Sequence, residues 1–273
     1  MKFSVLMSIY KSESPAYFKR AMESVLSQTL RPDEIVLVRD GEVPQALQAV
    51  IDEYAENPIV KYCPLEKNLG LGNALNEGLK AVSYEIVARM DTDDICAEDR
   101  FEKQIQFLKE HPDVDMVGGQ ISEFMDTEDN VVSVREVPCS DTDVKKFMQT
   151  RNPFNHQTVT FRKSAVDAVG GYVELHFLED YYLWCRMCVN GAVFANLPDI
   201  LVNVRISEDL YKRRGGWKYF VNYRRLEKYK KQAGIIGAFK RFKNESMRFV
   251  QACTPNFVRK WGYNHVARKK AKK

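Results

Sequence analysis

The chain has 273 residues, 45% of them hydrophobic, which suits one large α/β domain or a domain with an appendage. Its net charge of +4 conceals an asymmetry: residues 211–273 hold 20 Lys and Arg against 2 Asp and Glu, +18, and residues 1–210 hold 21 against 35, −14. An acidic body with a basic tail argues against a nucleic-acid enzyme with an extended track, and no apolar stretch approaches the ~18 residues of a membrane span.

Lys2 precedes only a short apolar run, Phe3–Ile9, of strand length and β-rich composition, so no signal peptide is expected. Ser14-Pro15 reads as the N-cap and first position of a helix reaching about Gln28. Glu34–Val38 is a second strand closed by the turn pair Asp40-Gly41, and Pro44–Glu56 a helix with Leu47, Val50, Ile51 and Tyr54 at helical spacing. Ile59–Tyr62, a helix from Asn68 to Val82 and a fourth strand, Glu85–Ala88, complete the alternation. Alternation of this kind predicts parallel strands with right-handed crossovers, and ligands outside their carboxyl ends.

From Glu98 the pattern changes. A helix runs to about Glu110, and Val114–Phe124 and Val131–Val137 are strands around an Asp-Thr-Glu-Asp-Asn turn. A helix over Asp141–Gln149, a strand over Asn155–Phe161 and a short helix over Lys163–Val169 follow. Phe177–Val189 is an amphipathic helix opening on Glu179-Asp180, and Val193–Ala195 and Ile200–Arg205 are late strands. Past Gly215-Gly216 the tail is helical and basic, broken near Gly234, Gly237 and Pro255.

Six cysteines (63, 96, 139, 185, 188 and 253) show no regular framework, which points to reduced thiols in a cytosolic compartment. Cys185-Arg186-Met187-Cys188 lacks a second pair or a nearby His and is a poor zinc site.

The chemistry concentrates in Arg89-Met90-Asp91-Thr92-Asp93-Asp94. Three carboxylates at a strand end repel one another unless a cation neutralises them, and alternate Asp residues there can share one hard divalent metal that holds a phosphate. A solvated acidic turn ahead of the next helix is the competing reading. Asp40 is either a turn residue or an acceptor for a base or ribose. Gly70-Leu71-Gly72 has Leu75 where a dinucleotide fingerprint needs its third Gly or Ala, so nicotinamide binding is rejected; a helix entry whose N–H groups face an anion is expected instead. Glu179-Asp180 either complements the helix dipole or supplies a general base, and adjacent helical positions let at most one face the site. Arg213-Arg214 before two glycines suits a diphosphate or is a solvated linker, and His156 either binds a metal or a substrate hydroxyl or is a satisfied polar residue. Trp217, Tyr219, Phe220, Phe239, Phe242, Phe249, Phe257 and Trp261 interleave with tail cations, a pattern fitting an anionic membrane surface or a helix packed on the body.

Five segments in this order resemble family 2 glycosyltransferases of the GT-A fold, similar to bacterial capsular and exopolysaccharide enzymes of the amylovoran type. They are Ser4–Tyr10, Glu34–Gly41, Asn68–Gly78, Arg89–Asp94 and Glu179–Trp184. The resemblance implies a doubly wound, mostly parallel, Rossmann-like α/β domain over residues 1–215, with a nucleotide half at 1–97 and an acceptor half at 98–215. Residues 216–273 form the helical, basic appendage. It further implies inverting transfer from a UDP-sugar to a hydroxyl of a glycan acceptor, expected to be lipid-linked, in cell-surface polysaccharide synthesis. By position, Ser8, Tyr10, Glu13, Asp40, Gly70, Asn73, Arg89, Asp91, Arg213 and Arg214 surround the nucleotide-sugar, with Asp40 on the uracil. Asp93 with Asp91 holds Mn²⁺ or Mg²⁺, and Asp180, or alternatively Glu179, is the base. The enzyme is then expected in the cytoplasm, peripheral on the inner membrane through its tail. Ser8-Ile9-Tyr10-Lys11 and Arg39 depart from the commoner Pro-x-Tyr-Asn and Asp-Asp-Gly, which blurs donor identity. A non-catalytic nucleotide-sugar-binding relative and a nucleotidyltransferase are the alternatives.

Overall fold

The computed structural model describes residues 1–206, 216–254 and 269–270. The strands are β1 (Phe3–Ile9), β2 (Glu34–Arg39), β3 (Val60–Pro64), β4 (Ile86–Met90), β5 (Ile95–Cys96), β6 (Met116–Phe124), β7 (Val131–Arg135), β8 (Thr160–Arg162), β9 (Phe194–Arg205) and β10 (Lys269–Lys270). The helices are α1 (Pro15–Leu26), α2 (Gln45–Ala55), α3 (Leu71–Ala81), α4 (Arg100–Glu110), α5 (Asp141–Met148), α6 (Lys163–Asp167), α7 (Glu179–Val189), α8 (Trp217–Gln232) and α9 (Ala238–Cys253).

One sheet runs β10-β7-β6-β8-β4-β1-β2-β3, with β9 beside β6 and β5 beside β9. β3, β2, β1 and β4 are mutually parallel, whereas β8 enters antiparallel between β4 and β6. β1 alternates across the sheet: Phe3, Val5, Met7 and Ile9 meet α1, α2 and α4 on one face, and Leu6 meets α3 and α7 on the other. The α3 contact is close because Gly78 lacks a Cβ, which would lie 2.3 Å from Leu6 Cδ1 and 2.8 Å from Val38 Cγ2. The result is a three-layer α/β/α domain of the GT-A kind, whose strand ends bring β1, β2 and β4 to one rim.

Several elements differ from expectation. The two late strands are one, β9, whose register against β6 slips at Gly119/Gln120, where Pro198 and Asp199 bulge out. β5 was not anticipated; its two residues pair with Val202 and Asn203. The strand expected over Asn155–Phe161 is a 3-10 turn at His156–Thr158 followed by β8, because Asn155 turns its amide onto the Gly119 carbonyl at 2.8 Å. α3 starts at Leu71 instead of Asn68 because residues 68–70 are tied to Asp40. α7 starts at Glu179 instead of Phe177, which has the left-handed φ of 66° and stands outside the helix.

The described tail packs on the body. Lys230 and Glu227 of α8 form a fully buried ion pair at 2.6 Å, and Lys230 Nζ also donates to the Gln149 carbonyl at 3.0 Å and the Tyr181 hydroxyl at 3.1 Å. Asn244 of α9 donates to Glu227 and to the same Gln149 carbonyl, both at 2.9 Å. These bonds fasten the α8–α9 hairpin to the end of α5 and to α7, one residue from Asp180.

Candidate functional site

The site is built at the ends of β1, β2 and β4. Asp91, Asp93 and Asp94 follow β4, and one carboxylate oxygen from each lies within 4.8 Å of the others. Each acid has a different setting. Asp91 pairs with the Arg89 guanidinium and is one-third exposed. Asp94 is buried, and its Oδ1 accepts the Arg205 N–H at 2.9 Å. Asp93 is pushed up to about 7 by burial and by the charges of Asp91 and Glu13. Burial and both neighbouring carboxylates raise Asp94 as well.

Stacked carboxylates of this kind are a hard-cation donor set, because oxygen ligands suit Mg²⁺ and Mn²⁺ and a bound cation offsets the repulsion that lifts the Asp93 proton affinity. The residues therefore fit the expected divalent metal. Asp94 belongs to the group by geometry, beside the expected Asp91 and Asp93.

The end of β1 closes over this cluster. Thr92 Oγ1 donates to Glu13 Oε2 at 2.9 Å and to the Ser8 carbonyl at 3.3 Å, and Glu13 N–H donates to the Tyr10 carbonyl at 3.1 Å. Ser8, Tyr10 and Glu13 are thus brought to Asp91–Asp94, with the Tyr10 side chain exposed. Asp40, at the end of β2, is buried. Its Oδ1 accepts Leu69 N–H at 2.6 Å, and its Oδ2 accepts Gly70 N–H at 3.0 Å and the Asn68 amide at 2.9 Å. The anion that the loop N–H groups were expected to meet is therefore Asp40 itself. Gly70 takes the left-handed φ of 83° this loop needs. Asn73 donates to the Leu69 carbonyl at 3.0 Å and lines an open groove with Asn76, Lys80, Lys163 and Gly171.

Arg89 is the centre of the site. It is 2% exposed, and its Nε and Nη1 have no hydrogen-bond partner among the described residues. Its charge acts on Asp91, on Asp180 and on the His156–Tyr172 pair, whose Nε2 and hydroxyl are 2.9 Å apart. Burial and this charge hold His156 well below its ordinary value, and its side-chain partner is the Tyr172 hydroxyl.

The two acids of α7 separate. Asp180 Oδ2 accepts the Asn152 amide at 2.6 Å and Oδ1 accepts Tyr181 N–H at 2.6 Å; burial raises its proton affinity, while those bonds, Arg135 and Arg89 oppose the rise. Glu179 turns to the start of α3, where a Cβ on Gly72 would sit 3.3 Å from its Cγ, and burial pushes it up to about 7. Arg213 and Arg214 lie outside the described residues.

Sequence reasoning missed Asn152, Tyr172 and Arg205. Arg205 stacks over Tyr17 at 3.8 Å and Phe124 at 4.7 Å while its backbone holds Asp94, yet its only sequence signal was a place at a strand end.

The Glycosyl transferase family 2 model matches residues 4–170. The chain is 45% identical over 237 residues to the amylovoran biosynthesis glycosyltransferase AmsE of Erwinia amylovora, covering 86% of this chain and 88% of that one. It is 35% identical over 268 residues to the UDP-Gal:alpha-D-GlcNAc-diphosphoundecaprenol beta-1,3-galactosyltransferase of Escherichia coli, covering 98% and 97%. The fold is shared with S. aureus TarS 1-349 in complex with UDP-GlcNAc, with a TM-score of 0.68 and 21% identity over 96% of this chain and 75% of that one. Family match, relatives along nearly the whole length and a GT-A core with its acidic cluster at the strand ends agree: the chain belongs to glycosyl transferase family 2.

Proposed function

We propose that this glycosyltransferase moves a hexosyl group from a UDP-sugar to a hydroxyl of a lipid-linked glycan, with inversion, in the synthesis of a cell-surface polysaccharide. The observation that carries the reading is the pairing of two acidic groups around Arg89: a metal-fitting cluster at Asp91–Asp94 and a half-buried Asp180. The activity named for the E. coli relative, transfer to a diphosphoundecaprenol-linked sugar, supports the acceptor class. The UDP-GlcNAc bound to TarS supports the donor class.

Asp93 and Asp91 would hold the divalent ion, with Asp94 behind them; when bound, it supplies Lewis-acid neutralisation of the leaving diphosphate. Ser8, Tyr10 and Glu13 line the nucleotide side, and Asp40 shapes the 68–70 loop beneath it. Asp180 takes the proton from the acceptor hydroxyl as its oxygen bonds the anomeric carbon and the bond to the diphosphate breaks. UDP leaves with the electron pair. The Asn152 amide on Oδ2 and the Tyr181 N–H on Oδ1 orient the Asp180 carboxylate. No covalent intermediate forms, so the anomeric configuration inverts. A nucleotidyltransferase would need a Gly-rich basic loop after β1, and Lys11-Ser12-Glu13-Ser14 is not one.

Calorimetry of UDP binding with Mn²⁺ tests the donor site. Wild-type protein should bind UDP only with the ion, and Asp93→Ala should weaken this at least about tenfold, since a charged ligand contact is lost. Equal binding by the variant, or binding indifferent to the ion, would remove Asp93 from this role.

A further inference from the structure

α9 is inside out. Two of its polar residues face the body: Asn244 is buried against Gln149 and Glu227, and Arg248 lies over the Tyr223 ring at 4.7 Å. Four of its apolar residues face away, with Phe239 82%, Phe242 70%, Val250 65% and Met247 62% exposed, while Phe249 packs on the Phe220 ring of α8 at 5.5 Å. Phe239, Phe242 and Val250 recur at helical spacing on one stripe, and Lys243 sits among them, also exposed. An amphipathic helix normally turns this stripe to a core. Here the core contact is made by its opposite face, so the stripe is left for another surface.

Charge selects the occupant. Residues 216–254 carry ten Lys and Arg against two Glu, and Lys218, Arg224, Arg225, Lys228, Lys231 and Lys243 are exposed on the hairpin. A second hairpin would bring like charge against like. An anionic bilayer offers both an apolar interior for the aromatic rings and a negative surface for the cations. It would also leave the −14 body facing away from the lipid.

We propose that the outward face of α9, centred on Phe239, Phe242 and Val250 and ringed by the hairpin's cations, is a docking surface for an anionic lipid bilayer. The inference deepens the lipid-linked acceptor of the proposed function, which it rests on for its purpose but not for its geometry.

The test is co-sedimentation of the full chain with vesicles of phosphatidylcholine containing phosphatidylglycerol, and with phosphatidylcholine alone. Binding should require the anionic lipid and fall with salt. The triple variant Phe239→Ser, Phe242→Ser, Val250→Ser should bind at least about tenfold more weakly. Because all three side chains are exposed, the variant should keep the wild-type melting temperature and its Mn²⁺-dependent UDP binding. Equal sedimentation of variant and wild type would overturn the proposal. So would a lipid-free wild-type dimer that the substitutions dissociate, which would assign the face to a second copy. A wild type that binds vesicles without binding UDP would instead overturn the donor assignment and leave the surface standing.

Discussion

Asp93 shows how one residue records the demands of a ligand. Burial and two neighbouring carboxylates raise it from 3.8 to about 7, so the folded chain keeps a proton that the unfolded chain releases. Below the ordinary carboxylate range both states are protonated and Asp93 is neutral in the balance. As pH rises towards about 7 the folded state must bury a charge, and stability falls. Asp94 and Glu179, also raised, act in the same direction. In chelator, the melting temperature should therefore drop as the pH rises from about 4 to about 7, less steeply in Asp93→Asn. Mn²⁺ should restore more at the higher pH, where the carboxylates are ionised. A melting curve with the opposite slope, or restoration larger at acid pH, would refute this reading of the cluster. The sequence made Asp91, Asp93 and Asp180 legible because carboxylates at a strand end and a helix start are chemically conspicuous. Asn152 and Tyr172 were not legible, because a loop amide and a lone phenol acquire meaning only from what they touch. Asp40 was legible as a strand-end acid, but its burial and its bonds to the 68–70 loop depend on a glycine turn that pattern alone does not place.

Among the elements, the β1-α1-β2-α2-β3-α3-β4 run was readable because short apolar strand runs, with β1, β2 and β4 buried on both faces, alternate with helices that bury one face. Past α4 the sheet turns mixed, and local pattern lost its authority: β5 is two residues long and β9 carries a proline bulge. The C-terminal hairpin was read as facing an anionic membrane surface or as packed on the body, and a fully buried Lys230–Glu227 pair fixes it to Gln149 and Tyr181, a contact that composition alone does not place. Removing one partner leaves an uncompensated buried charge. Glu227→Leu should therefore cost about 3–5 kcal/mol, and adding Lys230→Met should recover much of it, measured by urea unfolding. Equal stability of Glu227→Leu and wild type would show that the pair does not anchor α8.

At the scale of the molecule, the fold brings three groups to one rim: the acidic cluster after β4, the loop held by Asp40 after β2 and the base candidate on α7. The hairpin is bonded to α5 and α7, so its contact with the body ends one residue from Asp180. The charge asymmetry read in the sequence thus acquires a physical arrangement, an acidic catalytic body carried on a basic two-helix base. In the proposed reaction Asp180 takes the acceptor proton while the cluster holds the leaving diphosphate. Acceptor-dependent UDP release by Asp180→Asn tests it most directly. The amide keeps the shape and cannot take the proton, so turnover should fall by about 10²–10⁴ with Mn²⁺-dependent UDP binding retained. Turnover near wild type would remove Asp180 from the role of base.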